Sequence, residues 1–448
     1  MPDASKVVVG PAHAVRGAVR IPGDKSISHR YAMLAAIAEG TSRFHNFSAA
    51  QDCASTLDCV AKLGCRWKRS TDKDKDQNQG KDEDKDQDGN GTIEVEGVGP
   101  RLKAPTQMLD CGNSGSTMRM LSGILAGQPF PSELCGDESL SRRPMARIMK
   151  PLSEMGAKIS SNQGGRPPLK IRGGPLNAID YKPEVSSAQV KSCVLFAGLF
   201  ADGETVVEET VRTRDHGEIA LRAFGAEVER KGNASRIVGG QRLRAIEAHV
   251  PGDLSSAAFF LCAAAIFPGS QITLPAILLN PTRARLLDIL VQMGLKISVA
   301  HLEEHHGELV GTIEARGSGW TGTVLSGADT AALIDEIPVL AAVAPYSERG
   351  IEVRDAKELR VKESDRIAAV AANLRKMGAE VEERPDGMWI PGGQRLHGAE
   401  LESFGDHRIA MAFAIAALRA EGETTILGAD AAGVSYPAFF EQLHRLVA

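Results

Sequence analysis

One pattern recurs six times along this chain, and the repeat constrains the fold more than any other feature. Each copy has a Gly/Ser/Asp-rich opening, an Ala/Leu-rich helical stretch, a glycine and a β-branched strand. The copies are GDKSISHRYAMLAAIAEGTSRFHNF from Gly23, CGNSGSTMRMLSGILAGQPFPSEL from Cys111 and SSAQVKSCVLFAGLFADGETVVEE from Ser186, then GDLSSAAFFLCAAAIFPGSQITL from Gly252, LIDEIPVLAAVAPYSERGIEVRD from Leu333 and GDHRIAMAFAIAALRAEGETTILG from Gly405. A second pattern interleaves with it, an amphipathic helix closing on a glycine that feeds a strand: LDCVAKLGCRW, PLSEMGAKIS, IALRAFGAEVER, LLDILVQMGLKIS, AAVAANLRKMGAEVEE and the shortened FFEQLHRLVA. The closing glycines are expected just past the helix end, where positive φ costs no side-chain clash. Two patterns, each found six times and in register, exceed the generic grammar of helix, glycine and strand. They predict an α/β protein with mixed sheets, built from six βαβα-type units.

Six such units are more than one core of ordinary size holds, so a split into two domains of three units each is expected. The join is placed near Glu247–Gly252, giving domains of residues 23–249 and of residues 1–22 with 250–448. The segment Lys6–Arg20 lacks a unit of its own and is assigned to the C-terminal half. Residues 70–91, with eight acids and four lysines, read as a disordered insertion between two strands.

Lys and Arg number 52 against 57 Asp and Glu, a formal charge of −5, which excludes a general nucleic-acid coat. The seven cysteines are odd in number and contain no C-x-x-C, as expected of a reduced, cytoplasmic chain. The start, MPDASKVVVG, shows no secretory pattern. The longest apolar run, Ala257–Phe267, is about half a membrane span. A soluble cytoplasmic protein with neither a membrane nor a nucleic-acid partner is expected.

The openings stand at helix N-termini, where unsatisfied N–H groups and the positive end of the helix dipole favour anions. Several also carry cations: Lys25, His29 and Arg30 in the first, Arg119 in the second, Arg408 in the last. Arg142, Arg143, Arg360, Lys362 and Arg366 add charge on neighbouring segments. Any one of these arginines is as compatible with a surface position. As a set, recurring in the openings of a near-neutral chain, they point to a cleft between the domains that holds two or more phosphate or carboxylate groups. Asp335 and Glu336 open an apolar helix, and Glu363 adjoins Lys362, whose ammonium would keep it ionised. Carboxylates beside cations suit proton transfer on an anionic substrate, although spacing alone favours ordinary first-turn acids.

Seven segments together resemble the signature of the EPSP synthase (3-phosphoshikimate 1-carboxyvinyltransferase) family of enolpyruvyl transferases: PGDKSISHR (Pro22–Arg30), DCGNSGSTMR (Asp110–Arg119), RRPM (Arg142–Met145), SSAQVKS (Ser186–Ser192), IDEIPVL (Ile334–Leu340), LRVKESDRI (Leu359–Ile367) and GDHRIAMA (Gly405–Ala412). The resemblance spans nearly the whole chain in order. It implies a two-domain fold of three repeats each, with the active site in the interdomain cleft. The implied reaction transfers the enolpyruvyl group of phosphoenolpyruvate to the 5-hydroxyl of shikimate 3-phosphate through a tetrahedral intermediate. Neither metal nor organic cofactor is implied, and a monomer is expected.

By motif, Lys25 resembles the lysine touching both substrates, while Ser26 and Arg30 face shikimate 3-phosphate. Ser186, Ser187, Ala188, Gln189 and Lys362 are implied to line the same substrate, with Arg214 a candidate for its phosphate. Gly115, Arg143, Arg366 and Arg408, with Asn113 and Arg119 nearby, resemble the phosphoenolpyruvate pocket. Asp335 resembles the base that takes the 5-hydroxyl proton, and Glu363 the acid that protonates the methylene carbon. Gly115 implies sensitivity to glyphosate, since tolerant relatives carry alanine there. Two departures stand out: Val434 where many members have a lysine, and Ser116 where many have threonine.

A related transferase acting on UDP-N-acetylglucosamine expects a different N-terminal motif and a loop cysteine, and a non-catalytic anion-binding homologue need not keep Asp335 and Glu363. Two further motifs are set aside. Asp84–Gly89 begins like a calcium loop, but Val95 stands where the bidentate glutamate belongs. His301-Leu-Glu-Glu-His305 fits H-x-x-E-H but separates two strand-like runs, so a polar hairpin turn is expected there and no zinc. Cys193 and Cys262 fall in apolar helices and read as core.

Overall fold

The structure, a computed structural model, describes residues 5–70 and 91–447. Each of the six openings starts a helix: Lys25–Ala36, Gly115–Ala126, Ala188–Gly198, Leu254–Ala265, Ile337–Val343 and His407–Ala417. Ala and Leu favour helix intrinsically. Helices apolar on every side must lie inside, and nearly every residue of these six is buried. Asp24, Ser114, Asp253 and Asp406 each accept a backbone N–H from the first turn, whereas Ser187 and Glu336 occupy the cap position without such a bond. The interleaved helices are Gln51–Lys62, Ala146–Glu154, His216–Ala223, Arg285–Gln292, Arg366–Lys376 and Phe439–Leu446; all leave one face outward except His216–Ala223, which buries every residue from His216 to Leu221. Five of them end before Gly64, Gly156, Gly225, Gly294 and Gly378, whose φ values lie between 87° and 110°. An L side chain is strained there, which accounts for the glycine in each copy.

The chain divides into two compact units, residues 23–250 with 304–308, and residues up to Pro22 with 251–303 and from 309 onward. Within the first, each repeat forms one small mixed sheet. Leu109–Asp110 runs parallel to Pro131–Cys135, which pairs antiparallel with Arg166–Arg172, itself antiparallel to Lys158–Asn162. The same order holds for Asp180–Tyr181, Glu204–Glu208, Ala234–Val238 and Val228–Lys231. In the first repeat the parallel partner comes from the far end of the unit: Leu243–Arg244 and Glu247–His249 lie against Ala38–His45. There the flanking hairpin brings Ser70 opposite Thr92. The expected insertion between them, and the calcium-like run from Asp84, lie apart from their ends outside the described residues.

The second unit repeats the arrangement, with the chain's beginning supplying two strands. Arg16–Ala18 is the parallel partner of Gln271–Leu278, and Lys6–Val9 pairs antiparallel with Thr424–Leu427. In the last repeat Thr424–Leu427 runs parallel to Glu400–Glu402, and Lys6–Val9 is its antiparallel neighbour. His301–His305 departs from expectation: it lies on the strand Lys296–His305, and the turn follows at His306–Gly307. His301 itself has a φ of 50°, and the two histidines do not share a helix face.

Inside the first unit the helices Gly115–Ala126 and Ala188–Gly198 approach so closely that a Cβ on Gly123 would stand 2.1 Å from the Cys193 carbonyl oxygen. Cys193 and Cys262 are buried, and burial pushes both thiols up.

Candidate active site

In the unit of residues 23–250, the first opening presents Lys25, Ser26 and Arg30 from the start of one helix. Lys25 Nζ pairs with Asp52 Oδ2 at 2.9 Å, from the first turn of the neighbouring helix. Arg30 is buried, with Nη2 donating to Ser192 Oγ at 2.9 Å and Nη1 to the Ser26 carbonyl at 2.9 Å. Burial lowers its pKa to about 10; Glu218 and Asp24 support the charge while Arg214 opposes it. His29, on the same turn, bonds Thr56 Oγ1 at 2.7 Å, and its pKa is held well below the usual value by burial first and then by Lys25 and Arg30.

The second and third openings meet in the same unit. Arg119 Nη1 donates to Gln189 Oε1 at 2.7 Å, and Gln189 Nε2 donates to Ser116 Oγ at 2.9 Å. Asn113 donates to Asp137 Oδ2 at 2.7 Å and accepts from Arg143 Nη2 at 2.8 Å. A Cβ on Gly115 would stand 3.0 Å from Arg119 Nη1 and 3.6 Å from Arg143 Nη1, so the bare glycine leaves both guanidiniums beside an open helix N-terminus. Ser186 Oγ accepts from the Val211 N–H at 3.1 Å, tying this opening to the strap that carries Arg214. Ser187, at the cap position of the Ala188–Gly198 helix, makes no capping bond. Arg142 turns outward to Glu138 and is apart from the cluster.

In the other unit, Asp335 precedes the Ile337–Val343 helix. Its carboxylate lies 3.4 Å from Lys362 Nζ and 3.7 Å from Arg366 Nη1, and its carbonyl accepts from Arg408 Nη1 at 2.7 Å. Glu363 pairs with Arg366 at 2.6 Å. Its partner is therefore the arginine one turn on, and not the adjacent Lys362 that the sequence suggested. Arg366 is fully enclosed; burial opposes its charge, but Asp406 and Glu363 outweigh burial and raise its pKa. Arg360 turns away to Asp365 and Glu383. Glu336 is buried against Ser255 and Arg283, so only Asp335 of that carboxylate pair faces the cations.

Asp52, Ser192 and Asp406 hold site cations and Asp137 holds Asn113, and none of the four was singled out from the sequence. Asp406 had a signal, since GDHR places an acid at a cap position beside an arginine. Asp52, Asp137 and Ser192 lie in ordinary helical or turn contexts and had none.

Lysines, arginines and two carboxylates thus stand at or beside the helix openings of the sixfold repeat. The family model for EPSP synthase (3-phosphoshikimate 1-carboxyvinyltransferase) matches residues 9–443. The chain belongs to the EPSP synthase family. A 3-phosphoshikimate 1-carboxyvinyltransferase of Koribacter versatilis is 61% identical, covering 98% of this chain and 99% of the relative. One from Solibacter usitatus is 53% identical over 98% and 99%. The solved EPSP synthase of Acinetobacter baumannii superposes with a TM-score of 0.84 at 41% identity, covering 99% of this chain and 98% of that one.

As an EPSP synthase the chain transfers the enolpyruvyl group of phosphoenolpyruvate to shikimate 3-phosphate, a step of the shikimate pathway. Its substrates are small anions, in keeping with the cationic openings. Among the described residues no helix is long and apolar enough to cross a membrane.

Proposed function

We propose that the two clusters serve this one reaction with divided roles. Lys25, Ser26, Arg30, Ser186, Ser187, Gln189, Arg214 and Lys362 bind shikimate 3-phosphate. Asn113, Gly115, Arg119, Arg143, Arg366 and Arg408 bind phosphoenolpyruvate, with Lys25 reaching both. Asp335 takes the proton of the 5-hydroxyl as that oxygen attacks C2 of phosphoenolpyruvate, and Glu363 delivers a proton to the methylene carbon. In the tetrahedral intermediate so formed, loss of phosphate and of a methyl proton regenerates the enol ether. The arginines offset charge on the carboxylate and the departing phosphate, which is preorganised electrostatic stabilisation.

The observation that carries this reading is Asp335 itself, a carboxylate 3.4 Å from one cation and 3.7 Å from another, with its own carbonyl holding a third. Such a group is ionised and fixed in place, as a base must be. The Glu363–Arg366 pair supports the acid role in a different way. An arginine that turns to a substrate carboxylate releases its glutamate to take up a proton. The chain is proposed to act as a cytoplasmic monomer, and sedimentation at working concentration tests the latter.

The deciding experiment is phosphate release from phosphoenolpyruvate with either shikimate 3-phosphate or UDP-N-acetylglucosamine as acceptor, with a chelator present. Release with the first acceptor alone is expected. Asp335→Asn and Glu363→Gln should each lower kcat by roughly 10²–10⁴-fold, and wild-type rates in both would remove the acid/base assignment.

A further inference from the structure

Beside Asp335 the structure holds a second, hidden carboxylate. Glu336 is only 3% exposed. It accepts from Ser255 Oγ, which in turn accepts from the Arg283 guanidinium. Arg283, 5% exposed, also lies 3.8 Å from Glu336 and 3.4 Å from Asp253 Oδ1. The arginine is held from its own side as well: the N–H groups of Arg283 and Ala284 both donate to the Asn280 carbonyl, at 2.8 and 2.9 Å, and Asn280 Oδ1 closes the turn on Thr282. A buried ion pair of this kind contributes little net stability against an apolar substitute. Its geometry points to another use.

We infer that Glu336 is a positioning residue for the reaction, acting through the peptide that joins it to Asp335. The inference rests on the reading of Asp335 as the base. Glu336 anchors one side of that peptide in the buried Ser255–Arg283 network. From the other side, the Asp335 carbonyl accepts from Arg408 at 2.7 Å. One anchored dipeptide therefore sets both the direction of the Asp335 carboxylate and the position of a phosphoenolpyruvate arginine. Glu336 takes no proton from substrate, because it is enclosed. Misplacing a reacting group by about an ångström costs up to about 100-fold in rate.

The test compares Glu336→Ala, Glu336→Gln and Ser255→Ala in the full chain, each assayed below its own melting temperature. Glu336→Ala should lower kcat about 10²-fold and raise KM for phosphoenolpyruvate, with calorimetric binding of shikimate 3-phosphate alone changed less than about threefold. Glu336→Gln keeps the shape and an acceptor for Ser255, so it should recover most of the loss. If Glu336→Ala does not fold, Ser255→Ala carries the test, with a loss of about tenfold in kcat expected. A role confined to stability would lower the melting temperature and leave kcat and KM at wild-type values, and that result overturns the inference. Asp335→Asn run alongside separates the two failures. Full activity there sinks the base assignment, whereas a dead Asp335→Asn with an unaffected Glu336→Ala sinks only the positioning role.

Discussion

Arg366 Nε stands 2.8 Å from Asp406 Oδ2, and neither side chain reaches solvent. Asp406 also accepts the Arg408 N–H at 2.9 Å and the Ser364 hydroxyl at 3.0 Å, so one carboxylate caps a helix and locks a site arginine. Burial works against both charges, yet the attraction of Arg366 pulls the Asp406 carboxyl below its ordinary range. Removing one partner of a buried pair strands the other, at a cost of roughly 3–5 kcal/mol. Asp406→Ala should lose stability of that order in urea unfolding and also bind phosphoenolpyruvate more weakly. A loss below about 1 kcal/mol would show that the pair is not enclosed as described.

Gly115→Ala should act chiefly on phosphoenolpyruvate. The new methyl would stand 3.0 Å from Arg119 Nη1, closer than ordinary contact, and the guanidinium must shift by a few tenths of an ångström to admit it. Displacement of one charged hydrogen-bond donor predicts a rise in KM for phosphoenolpyruvate of about tenfold, with a smaller rise in KM for shikimate 3-phosphate because Arg119 Nη1 also holds Gln189. Steady-state kinetics with each substrate varied in turn decides this, and equal effects on both would refute it.

His29 gives the fold a defined acid weakness. Buried beside Lys25 and Arg30, it stays neutral in the native state, whereas the unfolded chain protonates it near the ordinary value of 6.5. Because the native pKa is depressed, the unfolded state binds more protons below that value. Its contribution is complete above about pH 6.5 and is lost as pH falls toward the depressed native pKa. His29→Asn should be less stable than the parent at neutral pH but lose less between about pH 6.5 and pH 5. Parallel urea midpoints for the two proteins would reject the idea.

Gly123→Ala tests the helix contact on which two openings depend. Its Cβ would lie 2.1 Å from a backbone carbonyl, which cannot rotate away. Overpacking of this kind costs about 1–3 kcal/mol or more. Because the two helices carry Gly115 and Gln189, both KM values should rise along with the fall in melting temperature. A fully stable variant would mean that the helices separate freely.

Much of this protein was legible because its signals are local. The six openings, the caps at four of them, the apolar inner helices and the five closing glycines each depend on residues within a turn or two. What the sequence could not supply was which side chain meets which. Lys362 and Glu363 are neighbours in the chain, but extended backbone at Lys362 sends successive side chains apart, one to Asp335 and the other to Arg366. Arg30 meets Ser192 and Arg366 meets Asp406 across long stretches of chain. Glu336 looked like half of an acid/base pair with Asp335, and only packing against Arg283 and Ser255 turned it inward. The repeat and the cations at its helix openings are written in the chain, because capping, helix propensity and glycine's freedom act over a few residues. Tertiary structure alone decided the partners of those cations, because a side-chain contact depends on how distant segments pack, which no short stretch of sequence encodes.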